Sequence, residues 1–480
     1  MPNSPSTTQK VLRIGLISGV HNLDPSRAQD FVSLMAVSQI FERPFLAPEA
    51  DRPAVPVLFR EGLQPESSDQ TIFSAAVRED IRFSDGTPLS APILCRSLER
   101  VSHFKALARA EARGDRVFFH LNRPNASFEL ALAAPYCGVV HDSGGRLLGT
   151  GPYLAAPGST PERLRLTRNP NYRGEATIDE LQFLCFAPDA EDRATALIEA
   201  FERGEVDFTN VLHREDISGM AGVRKQFAPA NSSAILYFNT ERPPFDDREM
   251  RRAVAAAIDR VEVASLCYPT NPLAITATGL LPPMMSDWRD GLRFDLAEAS
   301  SRLAARDLAD SAPLRMMVMF GARPYLSQPQ AVARYIAGQL GQLGLEVRIE
   351  TTRDSEDYFR RVGRGDYDLA LTGWIADTLD PVDFLESCLS VDAIPSPQAI
   401  SIHANLARWR NDEATALLRR LRSEPGGENR ESLLRLVADE MPLLPLVTGG
   451  IAYVHSFGVR NFEPDPLGIP EFDKLDLRAL

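Results

Sequence analysis

The residues of this 480-residue chain best placed to do chemistry lie in one stretch, YDLALTGWIADTLDPVDF, residues 367–384. Leu369, Ala370 and Leu371 form a short apolar run bounded by turn residues, the pattern of a strand covered on both faces. Gly373 and Trp374 are expected to end that run. The glycine permits close backbone approach, and the indole adds a flat apolar wall with one donor. Asp377 follows three residues after Trp374, and Asp380-Pro381 is expected to close the segment with a turn. A strand, a glycine, an aromatic wall and a carboxylate in that order suit a binding place.

Sequence features that would support catalysis or metal binding are missing. His141-Asp142-Ser143 holds the letters of a triad, but three adjacent residues cannot meet as nucleophile, base and orienter. Gly149-Thr150-Gly151-Pro152-Tyr153 lacks the Lys-Ser/Thr of a phosphate loop, and Pro152 removes an amide donor. Histidines such as His103, His120, His213 and His403 stand apart from paired acids. Cys95, Cys137, Cys185, Cys267 and Cys388 form no C-x-x-C pair. No metal, no cofactor and no enzyme activity are therefore expected. The cysteines read as small buried residues, with one or two disulfides open in an oxidising compartment.

Around these residues the chain must build several domains, because one hydrophobic core does not serve 480 residues. Hydrophobic residues make up 44% and charged residues 24%, ordinary globular values. The formal charge of -13, from 52 basic and 65 acidic residues, disfavours a nucleic-acid or anionic-membrane binder. No apolar run reaches membrane-spanning length, and no apolar segment of signal-peptide type precedes the first strand.

Periodicity predicts strands over residues 11–17, 71–77, 81–83, 116–121, 163–167, 178–186, 206–208, 235–238, 314–320, 346–351 and 443–447. Helices are predicted over 31–41, 192–203 and 330–343, after Ser90 and Asp247, and around 413–421 and 431–440. Residues 100–116 read as undistinguished, and the tail is expected to end in loops around Pro464-Asp465-Pro466-Leu467-Gly468. The alternation of strand and helix gives an α/β fold.

Seven segments occur together in an order that resembles the bacterial extracellular solute-binding proteins of ABC importers, the family of the oligopeptide-, dipeptide- and nickel-binding proteins. They are VREDIRFSDGTPLSA (77–91), GTGPY (149–153), RLTRNPNYRG (165–174), IDELQFLCF (178–186), FNTERPPFDDREMRRAVAAAIDR (238–260), GWIADTLDPVDF (373–384) and FEPDPLG (462–468). The resemblance implies a two-lobed periplasmic-binding-protein-like fold with mixed sheets and a ligand cleft between the lobes. It also implies three domains: domain I from residues 1–40, 149–240 and 446–480, domain II from 41–148, and domain III from 241–445.

The resemblance further implies ligand-binding residues. Trp374 would line a side-chain pocket and Asp377 would pair with a peptide's α-ammonium. In Arg323-Pro324-Tyr325, Arg323 would hold the C-terminal carboxylate, with Tyr325 beside it. Main-chain groups at Gly373 and Ile375 would take the peptide as an added strand. Two charges so placed favour a short zwitterion, about two or three residues long, since a guanidinium holds a carboxylate by parallel hydrogen bonds. Each residue also has a plain structural role open to it: Arg323 in a surface ion pair, Asp377 as a turn cap, Trp374 as core.

The expected function is capture of short peptides and delivery to ABC permease subunits. The protein is expected to be monomeric and periplasmic or at the cell surface, with no nucleic-acid partner and no membrane insertion. The alternatives are a cytoplasmic ligand sensor on the same fold, or a receptor for an opine, sugar or metal chelate.

Overall fold

The computed structural model describes residues 9–28, 30–47, 52–186, 193–212, 214–268, 275–304, 312–321, 323, 325–376, 378–397, 405–465 and 467–478. The chain divides into two compact units, Met1–Ala228 with Ile451–Leu480, and Pro229–Gly450. Each has its own mixed sheet and its own apolar clusters.

In the first unit seven strands run in the order Tyr153–Ala155, Arg163–Arg168, Glu180–Cys185, Val11–Leu16, Phe208–Thr209, Gly450–Ser456, Val223–Pro229. Val11–Leu16 pairs in parallel with Glu180–Cys185, Ile14 facing Phe183, and those alternate residues enter the core. The Phe31–Ile40 helix packs there too. Its sequence spacing suggests one apolar face through Leu34, Val37, Ser38 and Phe41. Instead Val32, Met35, Ala36, Val37, Gln39 and Ile40 are buried, so nearly its whole surface is covered. Gly149 and Gly151 of the GTGPY segment pack against the Ile40 main chain; a Cβ on Gly151 would sit 2.7 Å from the Ile40 carbonyl carbon. Those glycines serve close packing, which accounts for the motif without a phosphate.

Residues 45–148 hold a separate core in which Phe59, Phe119 and Phe128 are buried. It lies on a four-stranded antiparallel sheet ordered Gln64–Pro65, Ile72–Ala76, Arg116–Leu121, Ala108–Arg113. The supposedly featureless stretch 100–116 forms the Ser102–Leu107 helix and the Ala108–Arg113 strand. Ser90 does stand before the Ala91–Leu98 helix, but its side chain makes no capping bond. Residues 81–83 contribute only an isolated bridge, Arg82 to Pro88.

The second unit's sheet runs Ile275–Thr276, Leu443–Thr448, Ser232–Phe238, Leu369–Ile375, Leu314–Val318, Val347–Thr351. Leu314–Val318, the Pro329–Gln342 helix and Val347–Thr351 form the βαβ unit that the periodicity predicts, and Leu369–Ile375 joins the same sheet in parallel. Val254, Ile258, Val332, Ile336 and Leu340 cover one of its faces, all at most 1% exposed. The strand Gly450–Ser456, for which the sequence pattern gives no prediction, joins the first unit's sheet. All five cysteines are free thiols, Cys185 half-buried and the others buried.

Candidate functional site

The strand Leu369–Ile375 corrects one expectation at once: Gly373 and Trp374 lie inside it and do not end it. The reason is tertiary. Its antiparallel partner Ser232–Phe238 pairs over the full length, from Phe238 with Leu369 to Ser232 with Ile375, and a complete ladder outweighs the weak strand preference of one glycine. The pairing runs one step further, since Ala376 N–H donates to the Asn231 carbonyl at 2.9 Å and the Asn231 side-chain amide donates to the Ala376 carbonyl at 2.7 Å.

On the other side, the parallel neighbour Leu314–Val318 ends level with Leu371, so Thr372 to Ile375 run on past it. The two ladder ends set the phase of the main chain. Ala376 bonds to Asn231, and Asn239 N–H donates to Asp368 at 2.9 Å. In a regular antiparallel ladder alternate residues bond to the same partner. Residues 372 and 374 therefore turn their N–H and C=O groups toward Ser232–Phe238. Gly373 and Ile375 turn theirs to the opposite edge, beyond the end of Leu314–Val318.

The loop that follows Leu314–Val318 carries Arg323 and Tyr325. It closes on itself through Arg323 N–H to the Leu326 carbonyl (3.0 Å) and Leu326 N–H to the Arg323 carbonyl (2.9 Å). Tyr325 is buried, its hydroxyl 3.2 Å from the Thr372 hydroxyl, and burial pushes its phenol up. Its ring occupies the space that a Cβ on Gly373 would need, 2.6 Å from that position, and the Ser233 carbonyl crowds the same point. Gly373 is thus required by close approach on two sides. Arg323 is half-buried; its Nε lies 3.2 Å from the Met319 sulfur and its guanidinium 5.2 Å from the Phe320 ring centre. Trp374 is half-buried and Ile375 is 39% exposed.

The structure therefore gathers Arg323, Tyr325, Gly373, Trp374 and Ile375 within one unit, with Tyr325 in direct contact with Thr372 and Gly373. Asp377 and Pro324 lie outside the described residues. Past Asp377, the expected turn at Asp380-Pro381 is the start of a helix, Pro381–Leu389. Asp380 caps it, accepting from Val382 N–H at 2.9 Å, and Pro381 takes the first helical position. That carboxylate is 3.3 Å from Arg422, whose guanidinium also meets Glu386 at 2.5 Å and Asp383 at 3.8 Å. Burial outweighs Arg422 and raises the Asp380 carboxyl to about 6. Asn231 and the Asp380–Arg422 group went unread in the sequence. Asp380-Pro381 carried a cap-and-first-turn signal, whereas nothing in the sequence marks Asn231.

Among the described residues no group of three or more His, Cys, Asp and Glu could hold a metal ion. No described helix is long and apolar enough to cross a membrane.

Comparison with known proteins defines the class. The model of the bacterial extracellular solute-binding proteins, family 5, matches residues 54–395, and the chain belongs to that family. It is a solute-binding protein and not an enzyme. Among curated relatives it is similar to di/tripeptide-binding protein 2 of Pseudomonas aeruginosa, 26% identical over 388 residues, covering 75% of this chain and 70% of that protein. Among solved structures it resembles HbpA2 from Haemophilus parasuis, with TM-score 0.83 and 20% identity over 98% of this chain and 100% of that one. A dipeptide-binding protein from a Pseudoalteromonas species, solved in complex with Met-Leu, gives TM-score 0.77 and 19% identity over the same shares. At such identities the likeness shows the fold, the α/β architecture of periplasmic binding proteins.

Proposed function

We propose that this chain is the substrate-binding component of an ABC-type importer, capturing short peptides of about two or three residues by main-chain pairing with a charge held at each end. One observation carries the reading: Gly373 and Ile375 direct main-chain donors and acceptors to a strand edge that Leu314–Val318 leaves uncovered. An extended peptide there gains hydrogen bonds that do not depend on its side chains. In this reading Arg323 takes the C-terminal carboxylate, Trp374 a side chain and Asp377 the α-ammonium. Tyr325 holds the Arg323 loop against Thr372 and Gly373. A similar relative bears the name di/tripeptide-binding protein, which supports the same ligand class.

The protein works outside the cytoplasmic membrane as a monomer that hands ligand to permease subunits. Its three parts are domain I (1–40, 149–240, 446–480), domain II (41–148) and domain III (241–445). The separate apolar cluster within residues 45–148 supports that division. Calorimetry with free, N-acetylated and C-amidated dipeptides tests the ligand reading. Free dipeptides should bind and both blocked forms should bind poorly; equal binding of all three sinks the two-ended clamp. A thermal-shift panel of tripeptides, opines, sugars and metal chelates separates peptide capture from another solute.

A further inference from the structure

A second candidate site lies wholly within the first unit. A cavity of about 510 Å³ opens between the loop 22–27, the end of the Phe31–Ile40 helix, and the hairpin formed by His141–Ser143 and Arg146–Leu148. That volume is within the range of small-molecule pockets, which combine apolar walls with a few placed polar groups. Leu23 and Leu147 line it as half-buried residues packed on the unit's core, and Phe41 and Leu154 complete the apolar wall. Leu23, Leu147 and Leu154 keep part of their surface for an occupant, whereas Phe41 is buried.

The rim is cationic and prearranged. Asp24 lines the cavity, but its carboxylate is already engaged, accepting from Arg100 at 2.6 Å and from the Ser26 main-chain N–H at 3.1 Å. Arg27 reaches that carboxylate only at 3.9 Å, and its side chain is 78% exposed. Arg146 lines the cavity, is exposed, and has no ion pair among the described residues. Both are carried on fixed turns. The Arg27 main chain bonds back to Asp24 at 3.0 Å, and the hairpin turn before Arg146 is held by Gly145 N–H to the Asp142 carboxylate at 2.8 Å. Two guanidiniums with little anionic compensation above an apolar wall complement one negative head group on an apolar body.

We propose that this cavity binds a small amphiphilic carboxylate, its head group between Arg27 and Arg146 and its hydrocarbon against Leu23, Phe41, Leu147 and Leu154. The site goes beyond peptide capture and does not rest on it, since none of its residues belongs to the Arg323–Trp374 group. Decanoate titrated into the full chain by calorimetry should show one saturable site. Arg146→Gln and Arg27→Gln should each weaken it at least ten-fold while leaving the thermal midpoint unchanged, because both side chains are exposed. Methyl decanoate, which keeps the chain and lacks the charge, should lose a similar factor. No saturable decanoate binding, or affinity indifferent to both substitutions, overturns the proposal.

Discussion

A single guanidinium or carboxylate matters to a receptor in proportion to the water it must lose. If Arg323 and Asp377 hold the two ends of a peptide, removing either leaves the ligand's opposite charge buried without a partner. Arg323→Ala and Asp377→Ala should each weaken dipeptide binding by about 2 to 5 kcal/mol. Calorimetry that finds either variant at wild-type affinity removes that residue from the site. Gly373 makes a different demand. A Cβ there would meet the Ser233 carbonyl and the Tyr325 ring together, with backbone on one side and a buried ring on the other. Gly373→Ala should lower stability by about 1 to 3 kcal/mol, the usual cost of overpacking, read from denaturant midpoints. It should weaken peptide binding as well, because the displaced ring belongs to the Arg323 loop.

Among the secondary-structure elements, the Pro381–Leu389 helix has a titratable start. Its cap Asp380 is buried, and the folded state holds its carboxyl proton to about pH 6, above the ordinary value near 4. The folded state therefore binds more protons than the unfolded chain between those values, and this group's contribution to stability is lost as pH rises from about 4 through 6. Asp380→Asn keeps a good helix cap and abolishes the titration. Denaturant unfolding at pH 4.5 and pH 7 should show the variant without a share of the wild-type pH dependence, about 2 kcal/mol over that interval. An unaltered dependence in the variant would assign it to other groups.

Elements were legible in the sequence where one period governed them. The βαβ unit from Leu314 to Thr351 combines apolar strands with a helix whose Val332, Ile336 and Leu340 recur at helical spacing. The strand Ala108–Arg113 was not legible, because its non-charged residues are alanines and its alternation is weak. It is specified by continuous pairing with Arg116–Leu121, a partner that supplies Val117, Phe119 and Leu121 to the core. The candidate site was half legible for a similar reason. Gly373, Trp374 and Arg323 announce themselves by residue type, and the reach of the strand past Trp374 depends on a partner 140 or so positions earlier, which local pattern does not contain.

At the scale of the whole molecule, the second unit is one uninterrupted segment with its own sheet and core. Expressed alone, residues 229–450 should fold, giving a native-like circular dichroism spectrum and a cooperative melt. A non-cooperative melt would show that its core depends on the rest of the chain. In the full chain, a ligand at about 100 times its dissociation constant should add about 2.7 kcal/mol of stability, visible as a rise in melting temperature. A bound peptide that leaves the melt unchanged would contradict a site specific to the folded state.

The place of Gly450–Ser456 in the first unit's sheet has a consequence for the order of events during synthesis. That strand lies between Phe208–Thr209 and Val223–Pro229, so it fills a gap left inside the sheet rather than lengthening an edge. A ribosome moving along the message makes both flanking strands more than two hundred residues before the one that joins them. The second unit can close on itself in that interval, whereas the first cannot complete its hydrogen-bonded ladder until residue 456 has emerged. Such a late-arriving keystone delays completion of the first unit without any added device.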